Sequence, residues 1–166
     1  MKGNKIGMKA ILLTIAAVAQ IILTVILYDP QKNVPLINLG WLVMMLSAIF
    51  GWLPIFTFRR RGKVEGKAYV HTTVLVDSGV YSIVRHPQYL AGVLMSIALP
   101  LISQHWSIAL LGLVAAVLYY LDTFVEEEQD IEKFGEEYRQ YMQKVPRLNF
   151  ILGIIRVIGG VLTQKS

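Results

Sequence analysis

Residues 87–124, PQYLAGVLMSIALPLISQHWSIALLGLVAAVLYYLDTF, decide the fold. Two apolar runs, about Pro87–Ser103 and Trp106–Phe124, flank the polar triplet Ser103-Gln104-His105, which leaves room only for a tight turn. Pro87 suits the first turn of a helix, where its missing N–H has no partner to lose. Pro100 is expected to bend the first arm. The stretch reads as a helical hairpin of membrane length.

The residues bordering this hairpin carry chemistry. Upstream, Ser78–Leu90 reads SGVYSIVRHPQYL and places Arg85, His86 and Pro87 at the hairpin's mouth. An arginine and a histidine at the edge of a hydrocarbon slab must find anionic partners, headgroups or water. Glu126, Glu127 and Glu128 lie just past the other end. The turn brings that end back beside Arg85 and His86, so basic and acidic groups meet at one membrane face. Such a meeting makes a site for a zwitterionic ligand.

Composition sets the class. The chain has 166 residues, enough for one domain and too few for two. It is 55% hydrophobic and 16% charged, against roughly 25% charged in soluble domains, and its mean hydropathy is +0.54. These values describe an integral membrane protein. The net charge of +5 does not indicate nucleic acid. The basic residues cluster at membrane edges, as Lys2, Lys5 and Lys9 and as Arg59, Arg60, Arg61, Lys63 and Lys67, which orients the chain against a cytoplasmic leaflet. The absence of cysteine excludes disulfides, thiolate metal sites and a cysteine nucleophile, and no metal site is expected. The first apolar run, of about 20 residues, is longer than the core of a cleaved signal.

Four membrane segments are expected: about Met8–Leu27, Leu36–Phe58 with Pro54 as a kink, and the two arms of the hairpin. The sequence from Glu126 to Lys144 is highly charged, yet Ile131, Phe134, Tyr138, Tyr141 and Val145 recur at helical spacing and form one apolar stripe. Phe150–Leu162 is short and contains Arg156, the pattern of an interfacial helix. The fold class expected is therefore all-α integral membrane: four transmembrane helices, the third and fourth a hairpin, a cytoplasmic amphipathic helix, and a short C-terminal interfacial helix. It forms a single domain over 1–166. Residues 1–68 hold the first two helices, 69–146 the motifs, and 147–166 the C-terminal segment. Charge asymmetry puts both termini, the Arg59–Pro87 connection and everything after Glu126 on the cytoplasmic side.

Arg85 is a permanent cation able to grip a carboxylate or phosphate at two points, and His86 can donate a hydrogen bond or shuttle a proton. Backbone N–H groups near Pro87 are expected to be open to an anion. The plainer reading has this pair binding lipid phosphates or holding a structural ion pair with the glutamates. Glu132, Glu136 and Glu137 read as surface residues. Glu126 and Glu127, where the fourth segment emerges, can pair with an ammonium or with ribose hydroxyls.

The order SGVYSIVRHPQYL, hairpin, Glu126-Glu127, FGEEYRQY (134–141) and Val145-Pro146 resembles the isoprenylcysteine carboxyl methyltransferase family and the related phospholipid N-methyltransferases. The resemblance covers roughly residues 73–146. It implies a membrane-embedded enzyme that uses S-adenosylmethionine. By the same resemblance, Tyr81, Val84, Arg85, His86, Tyr89, Leu90, Glu126 and Glu127 would line the cofactor site, with Arg85 and Glu127 as the catalytic pair. Methionine's carboxylate needs a cation, its ammonium needs a carboxylate, and adenine needs apolar or aromatic walls. The acceptor expected is a lipid-like amphiphile, either a membrane lipid or a prenylated substrate, and first of all a carboxylate such as that of prenylated cysteine. A phospholipid amine is the alternative. The chain departs from the family pattern at Ser82, at Ala91, where a glycine usually stands, and at Phe150, where a proline often does. Membrane sterol reductases share a similar Arg-His-Pro hairpin but use NADPH, and the acidic run is a poor neighbour for a nucleotide phosphate. A non-enzymatic membrane scaffold is the remaining alternative.

Overall fold

The apolar runs become helices close to the expected positions. The computed structural model describes residues 3–61 and 74–163. Lys2, Lys63 and Lys67 of the expected basic clusters lie outside them, as does most of the connection between the second and third helices. In chain order the helices are α1 (Gly3–Ile26), α2 (Val34–Arg61), α3 (Pro87–Ser103), α4 (Trp106–Phe134), α5 (Glu136–Lys144) and α6 (Phe150–Thr163), with a 3-10 turn at Gly79–Ser82. There is no strand among the described residues. Local side chains set several of the boundaries. The Leu36 N–H donates to Asn33 Oδ1 at 3.1 Å and the Leu152 N–H to Asn149 Oδ1 at 3.0 Å, so an asparagine caps α2 and another caps α6.

Two helices, α2 over Val34–Arg59 and α4, are long and apolar enough to cross a membrane. Only 22% of the most apolar window of each is buried inside the molecule. A buried core helix would hide its apolar surface, so these helices face hydrocarbon, and the molecule is an integral membrane protein. Of the other expected spans, α3 has 17 residues, about 25 Å at 1.5 Å per residue, and the apolar part of α1 is Ile11–Ile26.

One expectation needs correction. The amphipathic helix does not begin at Glu126, because α4 runs through it to Phe134. Nothing between Phe124 and Phe134 breaks a helix. The break comes at Gly135, whose φ of +60° is a left-handed conformation that glycine adopts without strain. The short helix α5 follows it.

The chain divides into two compact units, Met1–Ala48 with Ala91–Asp122, and Ile49–Leu90 with Thr123–Ser166. In the first unit the buried Gln20 of α1 donates through Nε2 to the carbonyls of Ser96 at 3.1 Å and Ile108 at 3.3 Å. Gly112 makes this approach possible: a Cβ there would lie 2.3 Å from the Ser96 carbonyl oxygen and 2.6 Å from Gln20 Nε2. Gly92 likewise leaves space for the Tyr119 ring. At the α3–α4 turn, Gln104 takes a positive φ of 49°. It exchanges hydrogen bonds with the Asn33 backbone. Gly112→Val is expected to force α3 and α4 apart and cost about 1–3 kcal/mol, read as a lowered thermal midpoint in detergent.

In the second unit the apolar stripe read from the sequence is the core. Tyr138, Tyr141 and Val145 are buried together, with Leu75, Ile131, Phe134 and Met142 packed against them. Gly153 of α6 lets that helix rest on the backbone of Ile83, where a Cβ would meet the carbonyl oxygen at 1.8 Å.

Candidate functional site

The segment between the 3-10 turn and α3 is held by the chain around Pro146. The Arg85 N–H donates to the Pro146 carbonyl at 3.0 Å and the His86 N–H to the Arg147 carbonyl at 3.3 Å. The Tyr141 hydroxyl donates to the Tyr81 carbonyl at 2.6 Å. The expectation that the N–H groups beside Pro87 are open to an anion therefore fails for Arg85 and His86. Pro87 begins α3 as expected, but the two preceding amides are spent on docking the Pro146–Arg147 backbone. That docking aims the Arg85 and His86 side chains at α4.

They converge on Glu127, which is 4% exposed. Its Oε1 lies 2.9 Å from Arg85 Nη1 and 3.2 Å from His86 Nε2. Arg147 completes the group with a two-point contact, Nε to Oε1 at 3.0 Å and Nη2 to Oε2. The Arg147 guanidinium also stacks 3.6 Å from the centre of the Phe124 ring. Glu126, on the same turn, has Oε2 3.9 Å from His86 Nδ1, so each ring nitrogen of His86 faces a different carboxylate. Glu128 is exposed, as are Glu132, Glu136 and Glu137.

The apolar, hydrocarbon-length part of α4 ends at Phe124, so Glu127 lies beyond it. Burial pushes the Glu127 carboxyl up, but hydrogen bonds from His86 and Arg147 and the charges of Arg85 and Arg147 outweigh it and hold the group at about 2. Burial raises both Tyr138 and Tyr141, which keeps their hydroxyls protonated as donors. Burial, then repulsion from Glu126, raises Asp130.

Beside this cluster the unit holds a cavity of about 120 Å³. Its walls include Tyr81, Arg85, His86, Tyr89 and Glu126 from the motif residues, with Phe58, Asp130, Lys133, Phe134, Tyr138 and Tyr141. Val84 and Leu90 are buried, but they and Glu127 are not wall residues. Glu127 instead pairs with Arg85 and His86. Arg85 is the most informative member. Its side chain is 9% exposed, and Nε and Nη1 find no hydrogen-bond partner among the described residues. Nη1 nevertheless pairs with Glu127 Oε1 at 2.9 Å, and both nitrogens are enclosed by protein.

Sequence reading missed Arg147, Asp130 and Phe58. Asp130 stands four residues after Glu126, a spacing that puts both on one helix face, and this was legible. Arg147 follows the Val145-Pro146 step, but nothing local links it to Glu127 twenty residues earlier.

Two comparisons bear on this arrangement. The sequence model of the phospholipid methyltransferase family matches residues 36–137. A protein-S-isoprenylcysteine O-methyltransferase of Xenopus laevis is 38% identical over 91 residues, which is 53% of this chain and 31% of the relative. The chain thus spans about a third of the length of that relative.

Proposed function

We propose, from the premise that the chain belongs to the phospholipid methyltransferase family, that it is a membrane methyltransferase using S-adenosylmethionine, held in the cavity beside Arg85. The observation that carries this reading is the cavity lining, which brings Arg85, His86, Glu126 and Asp130 together with Phe58, Tyr81, Tyr89 and Phe134. The residues fit the cofactor. Arg85 offers two donors to its carboxylate, the acidic groups of α4 suit its ammonium, and Phe58, Tyr81, Tyr89 and Phe134 offer faces for adenine.

The cofactor supplies a methyl group already activated by its sulfonium. The chain's own residues bind, orient and exclude water, and positioning of this kind supplies much of the acceleration in an in-line displacement. Glu127 acts as a positioning residue: it fixes Arg85, His86 and Arg147 together and balances their charge, so that Arg85 keeps its orientation without a ligand. Tyr141 ties the cavity floor to the Tyr81 backbone.

The acceptor proposed is a lipid-like amphiphile that reaches the site from the bilayer. A carboxylate such as that of prenylated cysteine comes first, supported by the Xenopus relative's name, and it needs no general base. A phospholipid amine is the second reading, supported by the family's description, and such an ammonium must first lose a proton. The site and both termini are proposed to face the cytoplasm, with α1 and α3 completing four crossings.

The test is transfer of labelled methyl from S-adenosylmethionine to native membrane lipids and to a prenylated cysteine analogue. A base-labile volatile label identifies a carboxyl ester, and a stable label in the lipid fraction identifies an amine. No transfer to either, with NADPH bound in place of S-adenosylmethionine, overturns the reading in favour of a reductase.

A further inference from the structure

We propose that the apolar groove between α3 and α4, beside their turn, holds one hydrocarbon chain of a bilayer phospholipid, whose phosphate meets His105 and Lys32. The groove lies wholly within the first unit, at the closed end of the hairpin. The proposal is independent of the methyl-transfer reading.

The sequence of the hairpin builds this groove. Pro100 has no N–H, so the Ser96 carbonyl four residues earlier lacks its helical partner. Gln20 of α1 replaces the missing bond, donating to that carbonyl at 3.1 Å. A proline inside a helix also bends it. Pro100 and Ser96 both line the groove, with Leu36, Ile97, Ala109 and Leu113. The space measures about 670 Å³, within the usual range for small-molecule sites, against about 120 Å³ for the cavity beside Arg85.

Depth and chemistry select the occupant. The groove follows α4 from Trp106 to Ala116, about 15 Å at 1.5 Å per residue. That is half of a roughly 30 Å hydrocarbon core, the depth of one leaflet's chains, whereas a crossing helix would need the full thickness. Gly112 and Ala116 have the spacing of small residues at helix contacts, but Gly112 is already covered. A Cβ there would lie 2.3 Å from the Ser96 carbonyl oxygen and 2.6 Å from Gln20 Nε2, so close approach at this position is taken up inside the unit and not by a second copy. The mouth is polar. His105 caps α4, its Nδ1 accepting from the Ser107 N–H at 3.3 Å and lying 2.8 Å from the Ser107 hydroxyl. In the neutral ring the proton therefore sits on Nε2, as a donor. Lys32 reaches the same turn, donating through Nζ to the Ser103 carbonyl at 2.9 Å, and an ammonium has further donors to give. Asp29, the acid of the same connection, accepts from the Gln31 N–H at 2.9 Å. Trp106 is 75% exposed, as suits an indole at headgroup depth. Two donors above an apolar groove one leaflet deep suit a phosphate carried on a hydrocarbon chain.

The experiment is photolabelling of the full chain in phosphatidylcholine vesicles that contain a trace of one of two probes. One is a phosphatidylcholine with a diazirine in one chain, and the other is a diacylglycerol with the same chains and no phosphate. The phosphatidylcholine probe is expected to label residues 97–101 and 109–116 several-fold more than the exposed α2 face at Leu42 and Met45, which meets bulk hydrocarbon. Ala109→Phe fills the groove and is expected to bring its labelling down to the α2 level. His105→Asp keeps a cap on α4, since aspartate caps as well, but puts an acceptor where the phosphate needs a donor, and the same fall is expected. Should Ala109→Phe fail to fold, His105→Asp carries the test. Equal labelling of the groove and the α2 face in the native chain overturns the site, and so does a diacylglycerol probe that labels the groove as strongly as the phosphatidylcholine. The chain has no cysteine, so a disulfide between two copies carrying Leu113→Cys would make a second copy the occupant and overturn the proposal as well.

Discussion

Arg85→Ala is expected to lower the affinity for S-adenosylhomocysteine by roughly two to four orders of magnitude, since two charge-assisted hydrogen bonds at about 1.5–3 kcal/mol each are lost. The fold should survive. Glu127 keeps Arg147 on both oxygens and His86 on one, so no buried charge is left alone. The arginine removed is itself a desolvated cation with unmet donors, and its loss returns part of that desolvation cost. The thermal midpoint is therefore expected to change little. Calorimetry and a thermal scan on one preparation check both halves. Unchanged affinity would show that Arg85 serves only the ion-pair cluster, which is the plainer reading of the Arg-His-Pro motif.

Glu127→Gln is expected to do the opposite to the fold. It leaves Arg85 and Arg147 adjacent with no carboxylate between them, and stripping the acid from a buried ionic cluster costs about 3–5 kcal/mol. For a chain of this size the thermal midpoint should fall by roughly 10 °C, at 2–4 °C per kcal/mol. Cofactor affinity should fall as well, because Arg85 loses its support. The native chain adds a pH signature. Glu127 is held at about 2 in the folded state against 4.5 ordinarily. A depressed carboxylate stabilises the fold fully above its unfolded value, and that stability is lost as pH falls from about 4.5 toward 2. The glutamine variant should lack this acid-dependent loss. A variant as stable as the native chain, with the same acid slope, would remove Glu127 from its central place.

Taken together the two substitutions separate roles that the motif alone runs together. Arg85 is argued to face the ligand, whereas Glu127 is argued to hold the residues that do. The resemblance to the methyltransferase family made both a catalytic pair. The division of labour depends on which atoms point into the cavity, and spacing along a chain carries no such information.

Much of the architecture was legible because membrane helices announce themselves locally. Long apolar runs, the Pro87 start, the Ser103–His105 turn and the Ile131–Val145 stripe each depend on neighbours within a few residues, and α3, α4 and the core of the second unit follow them. The break at Gly135 was also local, but the change from apolar to charged sequence at Glu126 drew the boundary there. Composition can change without interrupting backbone hydrogen bonds, and α4 runs on through the charged residues.

The sequence by itself determined the class of this protein, its helices, and the convergence of a basic edge with an acidic one. Only the tertiary structure decided which groups are satisfied and which are left open. Arg147 reaches Glu127 from beyond α5, and the amides of Arg85 and His86 are taken by the carbonyls of Pro146 and Arg147. These are pairings between segments far apart in the chain, set by how the helices pack. The cavity that this packing lines with Arg85, carboxylates and aromatic rings is what points to a ligand.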